Sequence, residues 1–142
     1  MPRHALPADT PALAPYLVAD DPAALIEFLT KLFGAREMMR IHRSDGSIMH
    51  AEVRIRDSAV MMGGATKDFP ASTAGLHVYV EDVDAAFAKA LELGAKEIMP
   101  PSEAGDGDRR GGVTDFAGNQ WWIASRIETL TAEEIEGRAA KK

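Results

Sequence analysis

The feature that most constrains this chain is an internal repeat. Phe33-Gly34-Ala35-Arg36-Glu37-Met38-Met39 aligns with Leu93-Gly94-Ala95-Lys96-Glu97-Ile98-Met99 at an offset of 60 residues. A helix start precedes each copy, Asp21 in the first and Asp82 in the second, at an offset of 61. Asp is a good N-cap because its carboxylate accepts from the orphan N–H groups of the first turn. Pro22 suits the first helical position, and Gly34 can take the left-handed conformation that closes a helix. Between them Ala24, Ile26, Phe28, Leu29, Leu32 and Phe33 supply an apolar face. A sequence repeated in this order must build the same supersecondary unit twice.

The rest of the chain fits that frame. Residues 1–13 read as an extended N-terminal segment. Residues 14–64 form module 1: a strand from Ala14 to Ala19, the helix to Phe33, then strands at 37–43, 47–55 and 59–63 with turns at Ser44-Asp45-Gly46 and Arg56-Asp57-Ser58. Residues 65–74 are a polar linker. Residues 75–126 form module 2, with strands at 76–80, 95–99, 109–114 and 120–125, a helix ending before Gly94, a loop over 100–107, and a hairpin turn at Asp115–Asn119. Residues 127–142 are a C-terminal helical tail: Thr131 and Glu134 have capping-box spacing, and Leu130, Ile135 and Ala139 give only a narrow apolar stripe. The fold class is α+β, two repeated βαβββ modules.

Composition removes several functions. With 142 residues, 46% of them hydrophobic and 27% charged, the chain holds one domain's worth of core and is not disordered. A net charge of −6 argues against a nucleic-acid partner, which needs a basic footprint. The absence of cysteine excludes disulfides, thiolate zinc sites and cysteine nucleophiles. No apolar run approaches the roughly 20 residues of a membrane span, so no membrane partner is expected. Pro2, Pro7, Pro11 and Pro15 interrupt any signal-peptide core, and a cytoplasmic protein is the expectation. Exposed sheet edges favour a homodimer.

The segments Pro15–Gly34, His77–Gly94 and Asp115–Ile123, the last opening on Asp115-Phe116-Ala117-Gly118-Asn119, resemble the vicinal oxygen chelate superfamily of glyoxalase I, bleomycin-resistance proteins, fosfomycin-resistance proteins and extradiol dioxygenases. The resemblance covers about residues 12–126. It implies that the modules form a curved mixed sheet, a cup with the helices outside, holding a site on the concave face. It also implies metal-ligand positions on the first and last strands of each module. Carried over, these fall on Ala14, Met62, Gly75 and Trp122, none of which offers imidazole or carboxylate. The resemblance therefore points to a member without the usual metal ligands.

Strand parity indicates what the cup holds instead. In the strand 48–55, Met49, Ala51, Val53 and Ile55 form the apolar set expected under the helix, leaving Ile48, His50, Glu52 and Arg54 for the cup. Leu76, Val78 and Val80 face the second helix, and His77 and Tyr79 the cup. Trp121 and Ile123 go to the helix side, and Gln120 and Trp122 to the cup; Tyr16 and Val18 take the cup side of the first strand. The expected lining is Tyr16, His50, Glu52, Met62, His77, Tyr79 and Trp122, an aromatic wall with a few ionisable groups. Each has a plainer reading: His50 and Glu52 as partners on a solvated strand, His77 as a hydrogen-bonded structural histidine, and Tyr79 and Trp122 as a plug. Met38, Met39, Met61 and Met62 are adaptable packing at the least. Arg109 and Arg110, beside Asp106 and Asp108, form either a salt-bridged loop or an anion clamp at the pocket mouth.

Two functions fit. The first is sequestration of a small organic molecule in the aromatic cup with no cofactor, as in bleomycin-resistance proteins. The second is a metal-dependent lyase, isomerase or dioxygenase in which His50, Glu52 and His77 hold a divalent metal ion. The ligand's identity is not written in the sequence.

Overall fold

The computed structural model describes residues 3–140 and divides between Thr73 and Ala74 into two compact units. Unit 1 contains β1 (Tyr16–Ala19), α1 (Pro22–Phe33), β2 (Arg36–His42), β3 (Ile48–Ile55) and β4 (Ser58–Gly64). Unit 2 contains β5 (Gly75–Tyr79), α2 (Val83–Glu92), β6 (Lys96–Glu103), β7 (Asp108–Thr114), β8 (Gln120–Arg126) and α3 (Ala132–Ala139). Each unit has one four-stranded sheet, ordered β1-β4-β3-β2 in the first and β5-β8-β7-β6 in the second. In both, the first strand runs parallel to the last while the other pairs are antiparallel. The repeat in the sequence is thus a repeat of topology, and the α+β class with two βαβββ modules stands.

Local chemistry sets the helices. The Asp21 carboxylate accepts from Ala24 N at 3.1 Å, and the Asp82 carboxylate from Ala85 N at 3.0 Å. Gly34 sits at φ 67°, where its N–H reaches Thr30 O at 3.0 Å and that of Ala35 reaches Leu29 O at 3.3 Å, so the chain leaves α1 through a left-handed turn. Leu25, Leu29, Leu32 and Phe28 are buried from α1, and the sheet beneath supplies Leu17, Ala51, Val53, Val60 and Met62. In unit 2, Trp121, Ile123 and Val113 have no exposed surface, and Phe87 and Ala90 of α2 are buried with them. The helix α3 has the capping box that Thr131 and Glu134 imply and buries none of its residues, in keeping with its narrow stripe.

Three local expectations are corrected. Residues 100–103 extend β6 instead of opening a loop, despite Pro100 and Pro101. β6 is an edge strand, where the missing donors of proline cost no ladder bond. In β3 the register steps from Ile41↔His50 to His42↔Ile48, leaving Met49 as a bulged extra residue. The bulge inverts side-chain alternation, so Ile48 is buried at 6% exposure and Met49 is turned out at 46%.

The third correction is Met62. Arg56, at φ 55°, and Asp57 make a two-residue turn that pairs Ile55 with Ser58. Val60 and Met62 therefore lie on the face of Ile55, and Met62, paired with Leu17 and Ala51, is fully buried in the core. Met61 takes the open-face position expected of Met62.

Candidate functional site

In unit 1, register brings Tyr16 beside Met61, Met61 beside Glu52, Glu52 beside Met39, and His50 beside Ile41. These residues share the face away from α1. Tyr16 and His50 interact directly: their rings stack at 5.6 Å, and the Tyr16 hydroxyl lies 3.2 Å from His50 Nδ1. Glu52 shares the face but is only 5% exposed. Arg54 Nε donates to Glu52 Oε2 at 2.7 Å, and Arg54 Nη2 donates to Asp9 O at 2.7 Å, so the N-terminal segment is tied across this carboxylate. Toward the other end of the face, Tyr16, Val18, Arg43, Met49, Gly63, Gly64 and Phe69 line a cleft of about 440 Å3. The bulge at Met49 supplies one wall of it.

In unit 2, His77 pairs with Trp122, Trp122 with Gly112, Tyr79 with Ala124, Ala124 with Arg110, and Arg126 with Asp108. The open face thus carries His77, Tyr79 and Trp122 together, while Trp121 goes under α2. A Cβ on Gly112 would come within 2.5 to 3.2 Å of three carbons of the Trp122 six-membered ring. The indole therefore rests directly on the Gly112 backbone, a seat that no other residue would leave open.

Around these aromatic groups runs a polar network that one-dimensional reasoning did not assemble. Asp108, 2% exposed, is its centre. Tyr79 Oη donates to Asp108 Oδ2 at 2.7 Å, Arg110 Nη2 donates to the same oxygen at 3.0 Å, and Arg126 Nε donates to Oδ1. Arg126 Nη2 also donates to Tyr79 Oη at 2.7 Å, with its guanidinium 5.2 Å from the Tyr79 ring centre. Arg110 further reaches Asp106 Oδ2 at 2.9 Å and His77 Nε2 at 3.1 Å. Arg109, its sequence neighbour, points the other way and forks onto Asp84 at the start of α2. The pair expected to act as one loop or clamp is split by strand parity.

The contact from Arg110 fixes the state of His77. Nε2 must accept, so the neutral ring carries its proton on Nδ1. The imidazole keeps one side in water, yet loss of hydration on the other lowers its pKa below the usual 6.5, and the Arg110 charge lowers it further against the opposing pull of Asp108 and Asp106. A depressed histidine pKa means that the unfolded chain takes the proton first. Stability is then complete above about pH 6.5 and is lost as pH falls toward the folded-state value. His77→Gln will flatten the part of that decline due to His77, measured as the shift of urea midpoints between about pH 7.5 and 5. An unchanged slope would contradict the assignment.

Ala14, Met62, Gly75 and Trp122 offer neither imidazole nor carboxylate, and among the described residues no three His, Cys, Asp or Glu side chains gather to hold an ion. Of the alternative ligands, Glu52 is ion-paired to Arg54 and His77 Nε2 accepts from Arg110, so a dication there would compete with a guanidinium. Among the described residues, no helix is long and apolar enough to cross a membrane.

Comparison with known proteins agrees with this architecture. The chain is 36% identical over 137 residues to an uncharacterized protein of Mycobacterium bovis, covering 89% of this chain and 90% of the relative. An uncharacterized protein of Mycobacterium tuberculosis matches at the same identity over 81% of its length. Among solved structures, TioX from Micromonospora sp. ML1 superimposes with a TM-score of 0.67 at 25% identity, covering 80% of this chain and 97% of TioX. A glyoxalase/bleomycin resistance protein/dioxygenase from Nocardioides does so at 0.61 and 19% identity, covering 92% and 90% of the two chains. Residues 11–123 match the family description itself, and the chain belongs to the glyoxalase/bleomycin resistance protein/dioxygenase superfamily.

Proposed function

We propose that this superfamily member binds a small organic molecule in an aromatic-lined cup, without a metal and without chemistry on the ligand. The observation that carries the reading is the seat of Trp122 on Gly112, beside Tyr79 and His77. A large aromatic surface is held on the face of the sheet opposite α2, and orienting groups are already in place around it. Such a site gains from contact with aromatic faces, about 1 kcal/mol per ring beyond area burial. Its polar groups are paired to one another, so they fix orientation without driving a reaction. The reading includes a cytoplasmic homodimer, supported by the edge strand β2, where Met38, Met39 and Ile41 are 50%, 45% and 42% exposed.

The test uses the two adjacent tryptophans as opposed reporters. In a screen of aromatic compounds read by tryptophan emission, Trp122→Phe will remove the ligand-dependent change. Trp121→Phe will keep it while lowering stability, because Trp121 is fully buried and its Nε1 donates to Asp115 Oδ2 at 2.8 Å. The reverse pattern would place the ligand on the other side of the sheet. Elemental analysis of untagged protein purified without chelator is expected to find no stoichiometric divalent ion, and about one ion per chain would overturn the metal-free reading.

A further inference from the structure

We propose that the cleft on the open face of unit 1 selects carboxylates with a one- or two-ring apolar body, and that Arg43 is the residue that selects them. The proposal rests on the small-molecule reading above and names the chemical class of the ligand. Arg43 stands just beyond β2 and lines the cleft. Its Nη1 donates to Ser47 Oγ and Ile48 O, both at 3.2 Å, and its Nη2 donates to Gly64 O at 3.1 Å. Every partner is neutral. Three of the five N–H donors of a guanidinium are thereby used, and two keep no partner among the described residues. No carboxylate of the described residues lies within ion-pair distance of it, whereas Arg54, Arg110 and Arg126 on the open sheet faces are ion-paired.

The nearest acid in sequence, Asp45, is committed elsewhere. Its Oδ1 accepts from Ser47 N at 2.9 Å and Ser47 Oγ at 2.6 Å, and these bonds, more than the charge of Arg43, hold its carboxyl below the usual range. The remaining cleft is apolar: Tyr16, Val18, Met49 and Phe69 form its walls and contribute no acid. Two glycines make room for it. A Cβ on Gly63 would stand 2.8 Å from Tyr16 Oη, and one on Gly64 would stand 3.2 Å from Arg43 Nη1, so both groups lie directly on the β4 backbone.

This pairing of features restricts the occupant. A neutral apolar ligand would strip water from the uncompensated cation, at a cost that only a counter-charge offsets. A carboxylate meets the two open donors with charge-assisted bonds while its hydrophobic part fills the walls. A volume of about 440 Å3 lies in the range of small-ligand sites.

The probes are 2-naphthoate and its neutral isostere 2-naphthamide, titrated to millimolar concentration and followed by 1H–15N shifts of the Gly63, Gly64 and Phe69 amides. Naphthoate is expected to move these amides with about tenfold or greater preference over naphthamide. Arg43→Met will erase the preference. Because Arg43 also ties Gly64 O and Ile48 O, a second variant guards against a folding artefact: Phe69→Ser, at a side chain 72% exposed, will weaken both probes alike and leave the preference intact. Equal affinity for the two probes, a preference that survives Arg43→Met, or shifts confined to other amides would overturn the proposal. Those results would leave the Trp122 response untouched, so failure of this inference is distinguishable from failure of the small-molecule reading.

Discussion

Asp115→Ala will lower the unfolding free energy by about 3 to 4 kcal/mol, the largest single-residue effect expected outside the apolar core. Asp115 is 4% exposed and serves donors from three residues of the β7–β8 turn region. Its Oδ1 accepts from Ala117 N at 2.8 Å and Asn119 N at 3.0 Å, and its Oδ2 accepts from Asn119 Nδ2 at 3.1 Å and Trp121 Nε1 at 2.8 Å. Asn119 and Trp121 are themselves 1% and 0% exposed, so water cannot replace the lost acceptor. Asn119 then passes the constraint on, since its Oδ1 accepts from Ala74 N at 3.0 Å and fixes the entry to β5. Asp115→Asn keeps one acceptor oxygen for the turn but sets an amide against the indole N–H, and should cost roughly half as much. Urea midpoints with an unchanged slope will measure both, and a loss below about 1 kcal/mol for the alanine variant would contradict the account.

The elements legible in the sequence are those set by neighbours in the chain. Asp21, Gly34, Asp82 and Thr131 act within a few residues of themselves, and their helices begin and end where these residues imply. The alternation of β5 and β8 was equally readable, because an unbroken strand carries its parity from one end to the other. Hence His77, Tyr79 and Trp122 share one face and Trp121 the opposite one.

The failures come from cross-strand pairing. The bulge at Met49 depends on how β3 meets β2, and no local residue announces it. Met62 is a different case, because the turn that settles it was visible. Reading Arg56-Asp57 as a two-residue connection places Ser58 opposite Ile55 and sends Met62 into the core, whereas a three-residue turn displaces the register by one. The network around Asp108 joins residues 29 positions apart at Tyr79 and 18 apart at Arg126, so only register could assemble it. Arg43 was hidden by the opposite circumstance: an arginine among turn residues reads as solvated, and its lack of an acidic partner is visible only in space.

Asp108→Ala will cost about 2 kcal/mol and will disorder the aromatic face it supports. The carboxylate is 2% exposed and balances two guanidiniums while accepting from Tyr79 Oη. Removing it leaves Arg110 with Asp106 alone and Arg126 with no acidic partner among the described residues. Full burial of those cations would make the loss larger, but the Arg126 side chain is 49% exposed and the Arg110 side chain 22%, so water recovers part of the charge. Tyr79 loses its acceptor and with it the lock that holds its ring 4.9 Å from His77. The loss of stability should therefore shrink as salt is added, and the near-ultraviolet circular dichroism of the folded variant should weaken. Asp108→Asn, which keeps an oxygen for Arg126, should preserve more of the dichroism than alanine does. A destabilisation independent of salt, with the aromatic signal intact, would mean that Asp108 acts by packing and that the face around Tyr79 is organised by its aromatic contacts alone.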